Sequence, residues 1–178
     1  KNDVNTLNHI DNISQLRNLW LRSPSERLAS WREFRLSLQA LYDTYECNDS
    51  DCDNNILLAS LNAITTWWEQ SPIVSVAIDP YTPDSWPTVW EIVHQGECCK
   101  YSRGLAMAYT LYYMDPEVHV TVDRVYDKTY GDEYLIATYG GLYALNSLHG
   151  PIVRLHDVNT LITKESFVIR HDSIIKQD

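Results

Sequence analysis

The sequence predicts an α+β fold, with helices in its first two thirds and an antiparallel sheet after them. Three observations carry this. Apolar residues recur at helical spacing in two long stretches before residue 70. Beyond Pro116, apolar and polar residues alternate in short runs, as in Val118, Val120 and Val122. The pair Gly140-Gly141 lies between two such runs, at Tyr134–Tyr139 and Leu142–Leu148, and signals a hairpin.

The helices are bounded by recognisable chemistry. Ser23-Pro24-Ser25-Glu26 places a capping serine, a proline at the first helical position and a glutamate closing a capping box. Trp31, Phe34, Leu38, Leu41, Tyr42 and Tyr45 then predict an amphipathic helix to about Glu46. The stretch Asn48 to Asn55 is rich in turn formers. Leu57, Leu61, Ile64 and Trp68 mark a second helix, stopped at Ser71-Pro72. Pro72, Pro80, Pro83 and Pro87 predict an extended loop with one short strand at Ile73–Ile78. Thr88 and Glu91 form another capping box, and Gly96 ends the short helix that follows. A further helix is expected from near Cys98 to Met114, with Tyr101, Leu105, Ala108 and Tyr112 inward and Pro116 barring continuation. Ile152–Leu155 and Ser166–Arg170 complete the expected strands.

At 178 residues the chain fits one domain, with residues 1–22 as an N-terminal extension and a core over about 23–172. Hydrophobic residues make up 44%, too many for a disordered chain. The net charge of −10 repels phosphate backbones, and only scattered cations such as Lys100 and Arg103 oppose it, so no nucleic-acid partner is expected. No run is long and apolar enough to span a membrane. A protein partner is expected, because six Trp and twelve Tyr supply aromatic surface to bury or to present. Cys47 and Cys52 flank a polar turn, and two readings stay open: a disulfide or two ordinary thiols. No metal-finger spacing and no cofactor motif is present.

Gly96-Glu97-Cys98 falls at a loop-to-helix junction. A thiol there feels the positive end of the helix dipole and faces unpaired N–H groups, which favours the nucleophilic thiolate. A buried structural cysteine is the plain alternative. With Gly140-Gly141 as a two-residue turn, Leu135 faces Asn146, and Glu133 lies diagonal to Asn146 on one sheet face, roughly 7–8 Å away. A cysteine hydrolase needs a base at one of these positions and an orienting group at the other. Asn146 suits the second role, but the carboxylate of Glu133 raises a nearby thiol's pKa rather than pairing with it.

Asp84-Ser-Trp86-Pro-Thr-Val-Trp-Glu91 followed by Gly96-Glu-Cys98-Cys-Lys-Tyr101-Ser102 resembles the bacterial transglutaminase-like cysteine proteinases. That family includes periplasmic, calcium-dependent proteases that release biofilm adhesins. Asp132-Glu133-Tyr-Leu-Ile-Ala137, Leu145-Asn146-Ser147-Leu148 and the tail from His156 to His171 extend the similarity over about residues 25–172. The resemblance implies a papain-like fold in which the Cys-bearing helix packs on the sheet. It also implies a nucleophile at Cys98, with Glu133 where the catalytic His belongs and Asn146 where an Asp belongs. Cys99 and Lys100 replace the acidic residues that help bind calcium, so no metal is expected. Trp86 is expected to line the cleft. Among the histidines, His119 is the best substitute base, ahead of His94, His149, His156 and His171.

Three functions compete at this point. The first is a non-catalytic relative acting as a structural or protein-binding module, for which a virion or another assembly, or a periplasmic or secreted setting, is consistent. The second is an active cysteine peptidase or acyl-transferase with Cys98 and a rearranged base. The third is a redox role for Cys98-Cys99, weakened because vicinal cysteines bridge only with strain.

Overall fold

The computed structural model describes residues 19–44, 52–171 and 173–177, with only the backbone described at Cys52 and Asp53. Cys47 lies outside the described residues, and with it the question of a Cys47–Cys52 bridge.

Helix α1 (Pro24–Tyr42) starts at the capping box read from the sequence: Ser23 accepts from the Glu26 N–H, and Glu26 reaches back to the Ser23 N–H at 3.0 Å. It buries Trp31, Leu38 and Tyr42. Helix α2 (Cys52–Glu69) buries Leu57, Leu61, Ile64 and Trp68, the predicted stripe. Helix α3 (Val89–Gln95) is capped by Thr88 and ends at Gly96, whose φ of 77° is the left-handed conformation a glycine adopts freely. Helix α4 (Ser102–Met114) is buried on nearly all sides, not on one face, because helices cover it from one side and the sheet from the other. Leu19 and Trp20, which the sequence places in an N-terminal extension, are buried in the same core.

The sheet runs β4–β3–β2–β1–β5–β6 with antiparallel pairing throughout. Its strands are β1 (Val120–Asp127), β2 (Asp132–Tyr139), β3 (Tyr143–Ser147), β4 (Gly150–Arg154), β5 (Leu161–Arg170) and β6 (Ser173–Lys176). The expected strand at Ile73–Ile78 reduces to one parallel bridge between Ile73 and Cys98. The β2–β3 register differs by one from expectation, since Tyr139 pairs with Tyr143 and Ala137 with Leu145. The loop is therefore Gly140-Gly141-Leu142, with both glycines at positive φ.

Val120, Val122, Leu135, Ala137, Leu145 and Phe167 face the helices and join Trp31, Trp67 and Trp68 in the main core. Val125, Tyr134, Ile136 and Ala144 form a smaller cluster on the other face. There Asp127, fully buried, accepts from the Tyr134 hydroxyl at 2.8 Å and from the Thr129 N–H, and lies 2.8 Å from His149 Nε2. Burial pushes this carboxyl's pKa up, but Tyr134, Thr129 and His149 outweigh it and hold it below the ordinary Asp range. A depressed folded-state pKa stabilises the protein above the unfolded value of about 4, and that contribution is lost as pH falls through the folded value. The stability gap between wild type and Asp127→Asn, measured by urea unfolding, is expected to be full above about pH 5 and to close as pH falls below about 4. Among the described residues, no helix is long and apolar enough to cross a membrane.

Candidate functional site

The chain around Cys98 is held between two elements. The Cys98 N–H donates to the Pro72 carbonyl at 2.9 Å, and the Val74 N–H donates to the Cys98 carbonyl at 2.8 Å. Cys98 therefore sits on a short extended bridge, not on the first turn of a helix. The α-helical hydrogen bonding starts one residue on, with the Arg103 N–H donating to the Cys99 carbonyl at 3.0 Å. Cys99 and Ser102 close that turn reciprocally. The Cys99 N–H donates to Ser102 Oγ at 2.8 Å, and the Ser102 N–H donates to Cys99 Sγ at 3.4 Å. This has the geometry of a capping box, with sulfur in place of the capping oxygen.

The two neighbouring thiols are thereby separated in chemistry. Both are free and neither has accessible surface. Burial pushes the Cys98 thiol up to about 11, against the opposing effects of the Ser71 hydroxyl, Arg103 and Ser102. Burial also acts to raise Cys99, but the N–H and hydroxyl of Ser102, with the backbone at Ala77 and Tyr101, outweigh it and hold the thiol below the usual cysteine range. The thiolate-favouring helix start that the sequence assigns to Cys98 is thus occupied by Cys99.

Glu133 lies on the helix-facing side of β2, paired across to Tyr126. Each oxygen of its carboxylate accepts one hydrogen bond: Arg124 donates to one at 3.1 Å and the Tyr81 hydroxyl to the other at 2.7 Å. Arg124 continues to Glu165 at 3.0 Å and stacks on the Tyr81 ring at 4.7 Å. Sequence reasoning missed Arg124 and Tyr81. The signal was a charge at the inward position of β1, in phase with Val120 and Val122.

Asn146 has a φ of 66°, a conformation asparagine tolerates better than most residues. In the observed register a regular strand would turn its side chain away from the helices. The left-handed backbone breaks the alternation and returns it toward α4. Its amide nitrogen donates to the Leu135 carbonyl at 2.7 Å and to the Lys100 carbonyl at 2.9 Å, and its oxygen accepts from Arg103 Nε at 3.0 Å. Asn146 thus pins the start of α4 to β2, and no imidazole is among its partners.

No histidine hydrogen-bonds to the Cys98 sulfur among the described residues. His119 is exposed, shares the phase of Thr121 and Asp123, and so lies on the sheet face away from the helices; its ring is 3.4 Å from Gln177. His149 is tied to Asp127 on that same outer face. His156 pairs with Asp157, and His94 and His171 are exposed. Trp86 packs edge-on against Phe167 at 5.1 Å and donates to the Asp79 carbonyl, serving as a buried anchor for the loop and not as a cleft wall.

The donor set after Cys98 does not fit calcium, which takes oxygen ligands. Cys99 turns its sulfur into the start of α4, and the Lys100 ammonium lies 2.5 Å from Asp132, placing a positive charge against that carboxylate. Among the described residues, no group of three His, Cys, Asp or Glu side chains is positioned to hold a metal ion.

The fold is similar to that of Legionella pneumophila LapG. The calcium-bound form of LapG matches with a TM-score of 0.58 at 13% identity, over 93% of this chain and 89% of that one. A second LapG structure matches at 0.57 and 13%, over 92% and 87%. The EGTA-treated form matches at 0.57 and 14%, over 93% and 89%. At this identity the likeness establishes the α+β fold. No family model matches the sequence, and no curated protein matches it.

Proposed function

We propose that the protein is a non-catalytic relative of the transglutaminase-like cysteine peptidases, acting as a protein-binding module. The observation that carries this is the Tyr81–Glu133–Arg124 arrangement. The motifs around Cys98 resemble that family, and the fold is similar to that of Legionella pneumophila LapG. Where the resemblance puts the catalytic imidazole, this chain has a carboxylate neutralised by an arginine and covered by a tyrosine. A base must be free to reach the thiol proton, and both oxygens of this carboxylate are turned to other donors. Cys98 is buried and its thiol raised, which supports the same reading. The segment bridged to Cys98 carries exposed Ile73, Val76 and Tyr81, apolar surface suited to a protein partner.

A second reading is favoured by one observation. The hydrogen bonds on Cys99 support a thiolate at a helix start, one residue past the position carried over from the family, which reacts only where the covering loop gives access. Alkylation of the native protein followed across pH, with mass mapping of each cysteine, separates the two. The first reading expects Cys98 to stay unmodified at pH 7 while the urea-unfolded protein reacts, with labelling rising only toward pH 11. Rapid neutral-pH labelling of Cys98, or peptide hydrolysis abolished by Cys98→Ala, would sink it. Hydrolysis abolished only by Cys99→Ala would establish the second reading.

A further inference from the structure

A cationic feature of this acidic protein lies on α1, at a cavity whose lining does not include Cys98. Arg32, Arg35 and Gln39 follow one another along one stripe of the helix and line a cavity of about 200 Å3 with Leu36, Tyr113 and Met114. The Arg35 guanidinium lies among three rings, at 4.5 Å from the Trp90 centroid and 5.4 Å from those of Trp31 and Tyr113. Its Nε is buried without a hydrogen-bond partner.

Three other arginines donate to oxygen acceptors. Arg27 donates to backbone carbonyls, Arg103 to Asn146, and Arg124 to two glutamates. Among the described residues, neither Arg32 nor Arg35 has a carboxylate within 4.0 Å, in a chain with ten more acidic than basic residues. Burial works against the charge of Arg35 and outweighs the favourable effect of Tyr113, and the Arg32 guanidinium one turn away adds a smaller like-charge repulsion. Aromatic faces recover some of this cost. A partly buried guanidinium with a second, exposed one a turn away, both beside an open cavity, is a condition that a bound anion relieves.

We propose that this cavity binds the oxyanion group of a small ligand with a short apolar body. The planar guanidinium presents paired N–H donors in the fork that carboxylate and phosphate oxygens match, and the three surrounding rings restrict where it can move. Leu36 and Met114 supply the apolar wall. The volume is below the roughly 300–1,000 Å3 of drug-sized sites, which limits the ligand to a few heavy atoms beyond its charged head.

The test uses the full chain and two probes, inorganic phosphate and butanoate, with butylamine as the cationic control. Trp90 and Trp31 flank the guanidinium, so tryptophan fluorescence reports occupancy directly. At least one anion is expected to give a saturable change with half-saturation at about 1 mM or below. Butylamine should give none. A preference for butanoate identifies an apolar carboxylate as the ligand class, and equal or tighter phosphate binding identifies the bare oxyanion. Arg32→Gln, at an exposed position, is expected to weaken binding about tenfold, the loss of one charge-assisted contact. Arg35→Met, which keeps the stem against Trp90, is expected to abolish it. The absence of saturation with either anion, or binding undiminished in both variants, overturns the proposal.

Discussion

Gly104→Ala is expected to lower stability by about 3 kcal/mol or more, although an alanine in a helix interior ordinarily stabilises by about 1 kcal/mol. The reason is the approach of α4 to the sheet. A Cβ at Gly104 would lie 2.1 Å from the Leu135 carbonyl oxygen and 2.7 Å from its carbon, both backbone atoms of β2, which cannot rotate aside. The same Cβ would lie 3.1 Å from Asn146 Nδ2, the group that donates to the Leu135 and Lys100 carbonyls. The helix must therefore lift from the strand. Lifting stretches the Asn146 staple and moves the Cys99–Ser102 turn with it. Thermal unfolding should show the melting temperature falling by roughly 6–12 °C, the scale for a domain of this size. A variant as stable as wild type would show that the helix and strand can separate at little cost. The site would then rest on side-chain bonds and not on this backbone contact.

That contact also marks how far the sequence can be read. Gly104 sits in the middle of a helical stretch, where the sequence alone shows only a weak helix former. Helices α1 and α3 are legible because Ser23, Pro24, Thr88 and Gly96 carry their signals within a few residues, and α2 because Leu57, Leu61, Ile64 and Trp68 share one stripe. The start of α4 was read as Cys98 because Gly96-Glu97-Cys98 marks a junction. The extended bridge to Ile73 and the sulfur cap at Cys99 depend on a segment distant in sequence. The hairpin was found, but Gly140-Gly141 does not tell a two-residue loop from a three-residue one. The error shifted the β2–β3 register by one. Glu133 and Asn146 still share the helix-facing side, through the left-handed backbone of Asn146, which alternation cannot foresee. Strand β6 was missed because Ser173–Lys176 is too short to show a period. The capture of Glu133 by Arg124 and Tyr81 required the pairing of β1 with β2 and the path of the proline-rich loop, neither of which any local pattern encodes.

Arg27→Met is expected to cost about 3 kcal/mol or more and to loosen the loop that carries Cys98. The residue is nearly buried and makes no ion pair with a carboxylate among the described residues. Its guanidinium instead donates to the carbonyl oxygens of Val93 at 2.9 Å and His94 at 2.5 Å, and also to that of Arg22. Val93 and His94 belong to the last turn of α3, whose carbonyls have no helical partner and whose dipole favours a cation. One side chain of α1 thus closes the end of α3 and holds the residues leading into α1. Met keeps most of the apolar stem but leaves these acceptors unpaired, at about 1–3 kcal/mol for each that water does not reach. Arg27→Lys should recover part of the loss, because an ammonium keeps the charge but cannot span the three acceptors. Gly96 makes the argument testable by coupling. A Cβ there would lie 2.6 Å from Arg27 Cζ, on a backbone whose φ of 77° already disfavours a side chain. Gly96→Ala should therefore cost more in wild type than in Arg27→Ala, where only the conformational part, about 1 kcal/mol, remains. Equal costs in the two backgrounds would show that the guanidinium does not press on the turn before Cys98. The α3–Cys98 junction would then be held by Gly96 and the Ile73 bridge alone.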